Sequence, residues 1–391
     1  MASCGIGSAG RRQVLERGRI FALPWRSAGG NYGDEMGSII AGAPFFSKVL
    51  QILTTGLVAI PGGFLFSFLH IPLPWMLGPL TITLIHHALR GKGTRWPVGF
   101  RNAGMIVIGY SMGRTMTVET TEQILINLPG MAAVTLLIVL FSLATGYLTH
   151  RQTGISLASG ILGSVPGGLA QMVLMAEEIE DADVTAVTLM QMARVLAVLF
   201  IVPFVATYGI IHLPAGPPAP AVATATHYGL AALPALLMAP LGAWLAVRLN
   251  APIPFLLGPI FATAAAVLIG FPAPPVPRPL INTAQLFFGV YLGVAISLES
   301  LRGVGKVLPW AIGGSVALVA FTYLLGFGLT FVTPASLLTA FLSTAPGGMT
   351  EVGIVALTLG ADVAFILAYQ LFRLFCILLV APLLLRRRFK R

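Results

Sequence analysis

Apolar and polar stretches alternate along the chain with a regular beat. Apolar segments fall at 48–69, 72–89, 98–114, 127–149, 155–176 and 184–208, then at 229–247, 252–270, 280–298, 308–331, 335–358 and 363–385. Several approach the roughly 20 residues that a helix needs to cross the hydrocarbon of a bilayer. The pattern predicts an all-α polytopic membrane protein. Between the two sets lies an uncharged, proline-rich stretch, LPAGPPAPAVATATH at 213–227, which reads as a linker over 209–228.

Two segments are interrupted from within. GSVPGGLAQ (163–171) and STAPGGMTE (343–351) each place a proline and two glycines inside an apolar run. Proline removes a backbone donor and glycine frees the next residues, so both segments are expected to be broken helices. In lipid a broken backbone survives only where protein or a water-filled cavity satisfies it.

The two sets match each other. IPLPWMLGPL (71–80) aligns with APIPFLLGPI (251–260), GYSMGRTMTVE (109–119) with GVYLGVAISLE (289–299), and PGGLAQ (166–171) with PGGMTE (346–351), all at an offset of 180. After one deletion DADV (181–184) aligns with GADV (360–363), and Gln191 and Arg194 align with Gln370 and Arg373. The expected organisation is a tail over 1–47, a membrane repeat over 48–208, the linker, a second repeat over 229–386 and a basic tail over 387–391. Internal repeats about a central site are the usual build of secondary transporters.

Loop charges bear on how the repeats are oriented. If one segment per half is re-entrant, the second repeat is inverted. Arg90, Lys92, Arg95, Arg101, Arg151, Arg248, Arg302 and Lys306 then lie inside, and Arg278 alone outside. Parallel repeats would move Arg248, Arg302 and Lys306 outside and Arg278 inside. The positive-inside rule favours inversion, with both termini cytoplasmic.

Composition adds the class and removes others. Hydrophobic residues make up 57% and charged residues 9% of the 391, with a mean hydropathy of +0.90. Soluble domains carry about a quarter charged residues, so the net charge of +10 is read as basic ends at a membrane and not as a nucleic-acid footprint. Cys4 and Cys376 offer no disulfide framework or metal spacing. Residues 1–44 lack a secretory apolar region and read as a cytoplasmic tail, with Met36 an alternative start. The six histidines form no metal motif, and no Walker A, nucleophile elbow or dinucleotide fingerprint is present. No enzyme, cofactor or resident metal is expected.

The polar residues left inside the apolar segments are the candidate site. Pro166, Gly167 and Gly168, with Gln171 three residues on, match Pro346, Gly347, Gly348 and Glu351. A carboxylate at a helix break can bind Na⁺ or carry a proton, and half-helix N-termini add positive potential for an anion. A competing reading makes the glycines a packing device and Glu351 a wet surface group. Asp183, Gln191 and Arg194 share one helix face at about 100° per residue, as do Asp362, Gln370 and Arg373. The arginines are read either as partners for buried carboxylates or as caps on the carbonyls of the broken helices. EEIEDAD (177–183) reads as a solvated acidic loop.

These motifs, PGGxx[EQ], GAD-V and QxxR over about residues 48–386, resemble the AbrB family of bacterial membrane proteins. Members of that family carry labels as different as ammonia monooxygenase, transporter and regulator of aidB expression; it is distinct from the small DNA-binding protein of the same name. The missing metal constellation argues against the monooxygenase label. GxxMGxxMTxE followed by SVPGG also looks like bile acid/sodium symporters, which implies inverted repeats whose broken helices cross near the midplane. The function expected is an inner-membrane secondary transporter of a small solute, an organic anion among them, coupled to Na⁺ or H⁺. A membrane sensor that regulates gene expression is the alternative. The partners expected are the solute and the lipid bilayer, with a homodimer as one assembly the sequence allows.

Overall fold

A computed structural model describes residues 45–90, 94–117, 122, 126–210, 233–296 and 305–389. The tail up to residue 44, the linker from residue 211, and Cys4, Glu119, His212, His227 and Arg302 lie outside the described residues. Fourteen α-helices account for most of what is described: α1 (Phe45–Phe68), α2 (Pro74–Arg90), α3 (Val98–Gly113), α4 (Leu128–Thr153), α5 (Leu157–Ser164), α6 (Leu169–Glu178) and α7 (Val184–Phe204), then α8 (Leu233–Arg248), α9 (Pro254–Leu268), α10 (Arg278–Ala295), α11 (Val307–Leu329), α12 (Leu337–Thr344), α13 (Met349–Leu359) and α14 (Val363–Phe389). A π-helical turn, Val205–Ile210, extends α7.

Among the described residues, four helices are long and apolar enough to cross a membrane: Val49–Phe68, Leu128–Thr153, Val184–Ile210 and Val307–Leu329. Their outer faces carry large apolar side chains such as Leu57, Phe64, Leu136 and Leu324, each more than half exposed, as expected of helices solvated by lipid. The predicted segments 155–176 and 335–358 are each two short helices, so a set of six apolar segments becomes seven helices.

Local signals set the helix starts. Ser156 and Ser336 cap α5 and α12 by accepting from the backbone N–H of Ser159 (3.1 Å) and Thr339 (3.2 Å). The four residues with positive φ other than glycine among those described fall in two matched turns, His70 and Leu73 between α1 and α2, Asn250 and Ile253 between α8 and α9. Ile253, at φ 46°, is a β-branched residue in the left-handed region, an arrangement that its surroundings must hold in place.

Small residues bring backbones into contact at matched places. A Cβ at Gly62 would stand 2.6 Å from the Gly78 carbonyl oxygen, and one at Gly242 2.4 Å from that of Gly258. Gly109 and Gly113 of α3 press on Leu256 and Ile260 of α9, while Gly289 and Gly293 of α10 press on Met76 and Leu80 of α2. Numbers rise together in both pairs, so each pair runs parallel. Helix α3 meets α10 the other way round. Arg101 contacts Tyr291, Gly104 meets Ala284, the Tyr110 hydroxyl donates to the Pro274 carbonyl (2.9 Å), and Arg114 donates to that of Ala273 (3.3 Å). As one number rises the other falls, so α3 and α10 are antiparallel. Helices α2 and α9 are therefore antiparallel as well.

The largest apolar core lies among α2, α3, α7, α9, α10, α12, α13 and α14, with Met76, Leu77, Leu80, Met112, Leu256 and Phe341 fully buried. It holds the second interrupted segment against α14, while α5 and α6 pack in a separate core with Val187 of α7 and Ile377 of α14.

Candidate functional site

Helix α5 stops at Ser164, and the chain turns extended at Val165 before Pro166. Gly168 then takes φ 85°, ψ 128°, a conformation essentially reserved for glycine, and α6 begins at Leu169. Helix α12 stops at Thr344, Ala345 is extended, and α13 starts after Gly348. There φ is −69°, which any residue adopts. Gly348 is bare for another reason: a Cβ would sit 2.0 Å from Oε2 of Glu351, whose side chain folds back over the first turn of its own helix. The carboxylate lies in the first turn of α13, at the positive end of the helix dipole.

Helix ends leave carbonyls without partners, and inside a membrane water does not supply them. Each break here is satisfied from the helix that follows. Gln191 donates through Nε2 to the carbonyls of Leu162 (2.7 Å) and Val165 (3.0 Å), and Arg194 donates to that of Val165 (2.8 Å). The Gln191 Oε1 accepts from the Arg194 guanidinium at 2.6 Å, which locks the pair. In the second half Gln370 donates to the carbonyls of Leu342 (3.1 Å) and Ala345 (3.2 Å). Arg373 donates to those of Thr344 (3.1 Å), Ala345 (2.9 Å) and Gly347 (3.3 Å), and to Gln370 Oε1. All four side chains are buried, the arginines 6% and 5% exposed.

The breaks face a common cavity of about 230 Å³. Pro166 and Gly168 come from the first break, and Pro346, Gly347, Gly348, Met349 and Glu351 from the second. Arg194, Gln370 and Arg373 supply the polar wall, and Val195, Val198, Leu199, Ile253 and Leu374 the apolar one. Among the described residues no ion pair joins Glu351 to either arginine; the guanidiniums are held by carbonyls. Arg194 also borders a second cavity of about 20 Å³, lined by Thr145, Thr149, Ser164 and Ser315, a volume that fits one water molecule.

The remaining expected residues are placed elsewhere. Asp183 is the N-cap of α7, accepting from the N–H of Thr185 (2.8 Å) and Ala186 (3.2 Å). Asp362 accepts from the Phe365 N–H at 3.0 Å at the start of α14. Their own N–H groups donate to Ser159 Oγ (2.7 Å) and Thr339 Oγ1 (3.1 Å). Neither aspartate lines the cavity, although each shares a helix face with its Gln and Arg. Gln171 is half-buried beside Gly168 and does not line it, and Gly167 packs on Met172 and Ile377. Sequence reasoning did not single out the apolar wall. Ile253 carried one signal, since IPLP and APIP recur at the shared offset.

The family model described as "Transition state regulatory protein AbrB" matches residues 75–388. A protein of Escherichia coli (strain K12) named "Putative regulator AbrB" is 29% identical over 330 residues, covering 82% of this chain and 91% of that one. "Uncharacterized protein YhjN" of Bacillus subtilis (strain 168) is 26% identical over 349 residues, covering 83% of this chain and 90% of its own. The matched stretch contains both helix breaks, both Gln–Arg pairs and every residue of the central cavity, and the chain belongs to the AbrB family.

Proposed function

We propose that the protein is a secondary transporter of the bacterial inner membrane that moves a small organic anion in step with a cation. Its halves act as inverted repeats about the central cavity, both termini are cytoplasmic, and the protein catalyses no covalent chemistry. Support for the inversion comes from the antiparallel meeting of α3 with α10 at Gly104 and Ala284, positions 180 residues apart. Broken helices that bring backbone termini to one central site are the common design of such transporters.

One observation carries the proposal: two buried guanidiniums and one carboxylate share a cavity whose other wall is apolar. Two positive charges against one negative favour an anion. The apolar wall suits a carbon skeleton, and about 230 Å³ suits a small one. Glu351 carries the coupling ion, and the arginines, fixed by carbonyls, supply positive potential without moving. The name of the Escherichia coli relative is the one observation behind a second reading, a membrane sensor in which this cavity binds a ligand that signals.

Thermal unfolding of purified protein against a panel of small organic anions tests the first reading. A ligand at 100 times its Kd stabilises the folded state by about 2.7 kcal/mol, which raises the midpoint visibly. The binder is then used for uptake into proteoliposomes. Glu351→Gln should keep its unfolding midpoint and lose ion-driven uptake; normal uptake by that variant overturns the role of Glu351. Binding without uptake, together with a cytoplasmic partner whose loss reproduces the deletion phenotype, favours the sensor.

A further inference from the structure

We infer that the coupling ion is the proton, carried by Glu351, and that the two Gln–Arg pairs stand as tethered cations where a sodium ion would otherwise bind. The inference rests on the transporter reading and deepens it. In broken-helix transporters the oxygens that hold a metal cation come from unwound backbone and the ends of half-helices. Here six of those oxygens are already engaged. The carbonyls of Leu162 and Val165 accept from Gln191 and Arg194, and those of Leu342, Thr344, Ala345 and Gly347 from Gln370 and Arg373. The Thr344 hydroxyl is turned away, donating to the carbonyls of Thr322 (2.7 Å) and Phe341 (2.9 Å).

Charge points the same way. The guanidiniums remain charged throughout the physiological range and lie buried on the cavity wall. A sodium ion entering beside them would meet two like charges in a medium that screens poorly. Glu351 is the only carboxylate lining that cavity among the described residues. Its two oxygens are far short of a sodium coordination shell, whereas a proton needs one.

The groups facing Glu351 are few. Arg194 of α7 and Arg373 of α14 are the charged groups that share its cavity, and among the described residues neither is ion-paired with it. Helix α2 offers Met76, α3 offers Met112 against Gly353, and α7 adds Val198, Leu199 and Val202; α12 has no ionisable side chain. The ionised carboxylate therefore offsets one of the two guanidinium charges. When a hydronium ion from the aqueous side gives a proton to a carboxylate oxygen, its own O–H bond breaks and it leaves as water. An O–H bond forms on Glu351 and the cavity charge rises from +1 to +2. A monoanion then returns it to +1. Proton and anion binding favour each other, and by linkage each raises the affinity of the other by the same factor. One proton moves with one monoanion, and the cycle is electroneutral.

Infrared titration of the full chain reconstituted in lipid tests this without knowledge of the solute. The native spectra minus those of Glu351→Gln, which cancel the other acidic side chains of the sequence, should show a protonated-carboxyl stretch that rises and falls with pH and stays unchanged when sodium replaces choline at fixed pH and ionic strength. A band that sodium diminishes at constant pH overturns the inference, because sodium then displaces the proton. A difference spectrum without a titrating carboxyl band overturns it too, because another group then carries the proton. If the variant does not fold, the sodium replacement in the native protein still decides. Failure of every anion to be taken up would sink the transporter reading and leave this measurement standing on its own.

Discussion

The two helix breaks solve one problem in two ways. Both end a half-helix at an extended residue before proline, and both cover the stranded carbonyls with a Gln–Arg pair three residues apart on the next helix. In the first, Arg194 makes two hydrogen bonds, one to a carbonyl and one to Gln191, and keeps N–H donors unengaged beside the two cavities it borders. In the second, Arg373 binds three carbonyls and Gln370, and the acid sits nearby. Gly168 is required by its backbone angle, Gly348 by the carboxylate folded over it. The common part is what a broken backbone in lipid demands; the differing part is where the proposed function would reside.

Removing the clamps should separate the breaks most strongly. Hydrogen bonds to charged groups contribute about 1.5–3 kcal/mol each, and a carbonyl left unsatisfied costs more. Arg373→Ala should destabilise the protein by about 3 kcal/mol or more, and Arg194→Ala by roughly half as much, read from unfolding midpoints in detergent. Equal losses would mean that the extra carbonyl contacts of Arg373 contribute nothing.

Glycine replacements come next. Gly168→Ala forces an L-residue into a glycine-only region and should lower stability by about 1–3 kcal/mol. Gly348→Ala displaces a flexible carboxylate instead, so stability should fall by under about 1 kcal/mol while ion-driven uptake is lost. A Gly348→Ala protein with normal uptake would show that the folded-back position of Glu351 is dispensable.

The smallest effect is expected at the aspartates. Asp183→Ala and Asp362→Ala should each cost about 1 kcal/mol, the worth of an N-cap, and leave uptake intact. Asp183, which accepts from two N–H groups against one for Asp362, should be the more sensitive.

Much of this was legible in the chain before any coordinates. PGG within apolar runs forecast the two breaks, because the chemistry of Pro and Gly is local. Face arithmetic brought Gln191 with Arg194 and Gln370 with Arg373 correctly, since both pairs lie well inside regular helices. The same arithmetic drew in Asp183 and Asp362 and failed to help, because a residue at a helix start turns its oxygens to the nearest N–H groups and not across the bundle. Gln171 aligned with Glu351 yet does not line the cavity, since equivalent positions need not face equivalent surroundings once two halves have diverged. The apolar wall was invisible: Val195, Val198 and Leu374 differ in no way from their neighbours until the chain is folded.

The meeting of Gly104 with Ala284 has a further consequence. Were the halves separate polypeptides of one sequence, that contact would be isologous, each residue facing its own copy. Any substitution would then appear twice, and an acid in one half matched in sequence by a neutral amide in the other could not exist. Carrying both halves on one chain lifts that constraint. Position 104 is glycine while 284 is alanine, and 171 is glutamine while 351 is glutamate. One chain with two matched halves can thus hold a single carboxylate in the cavity they share, without a copy of it in the other half.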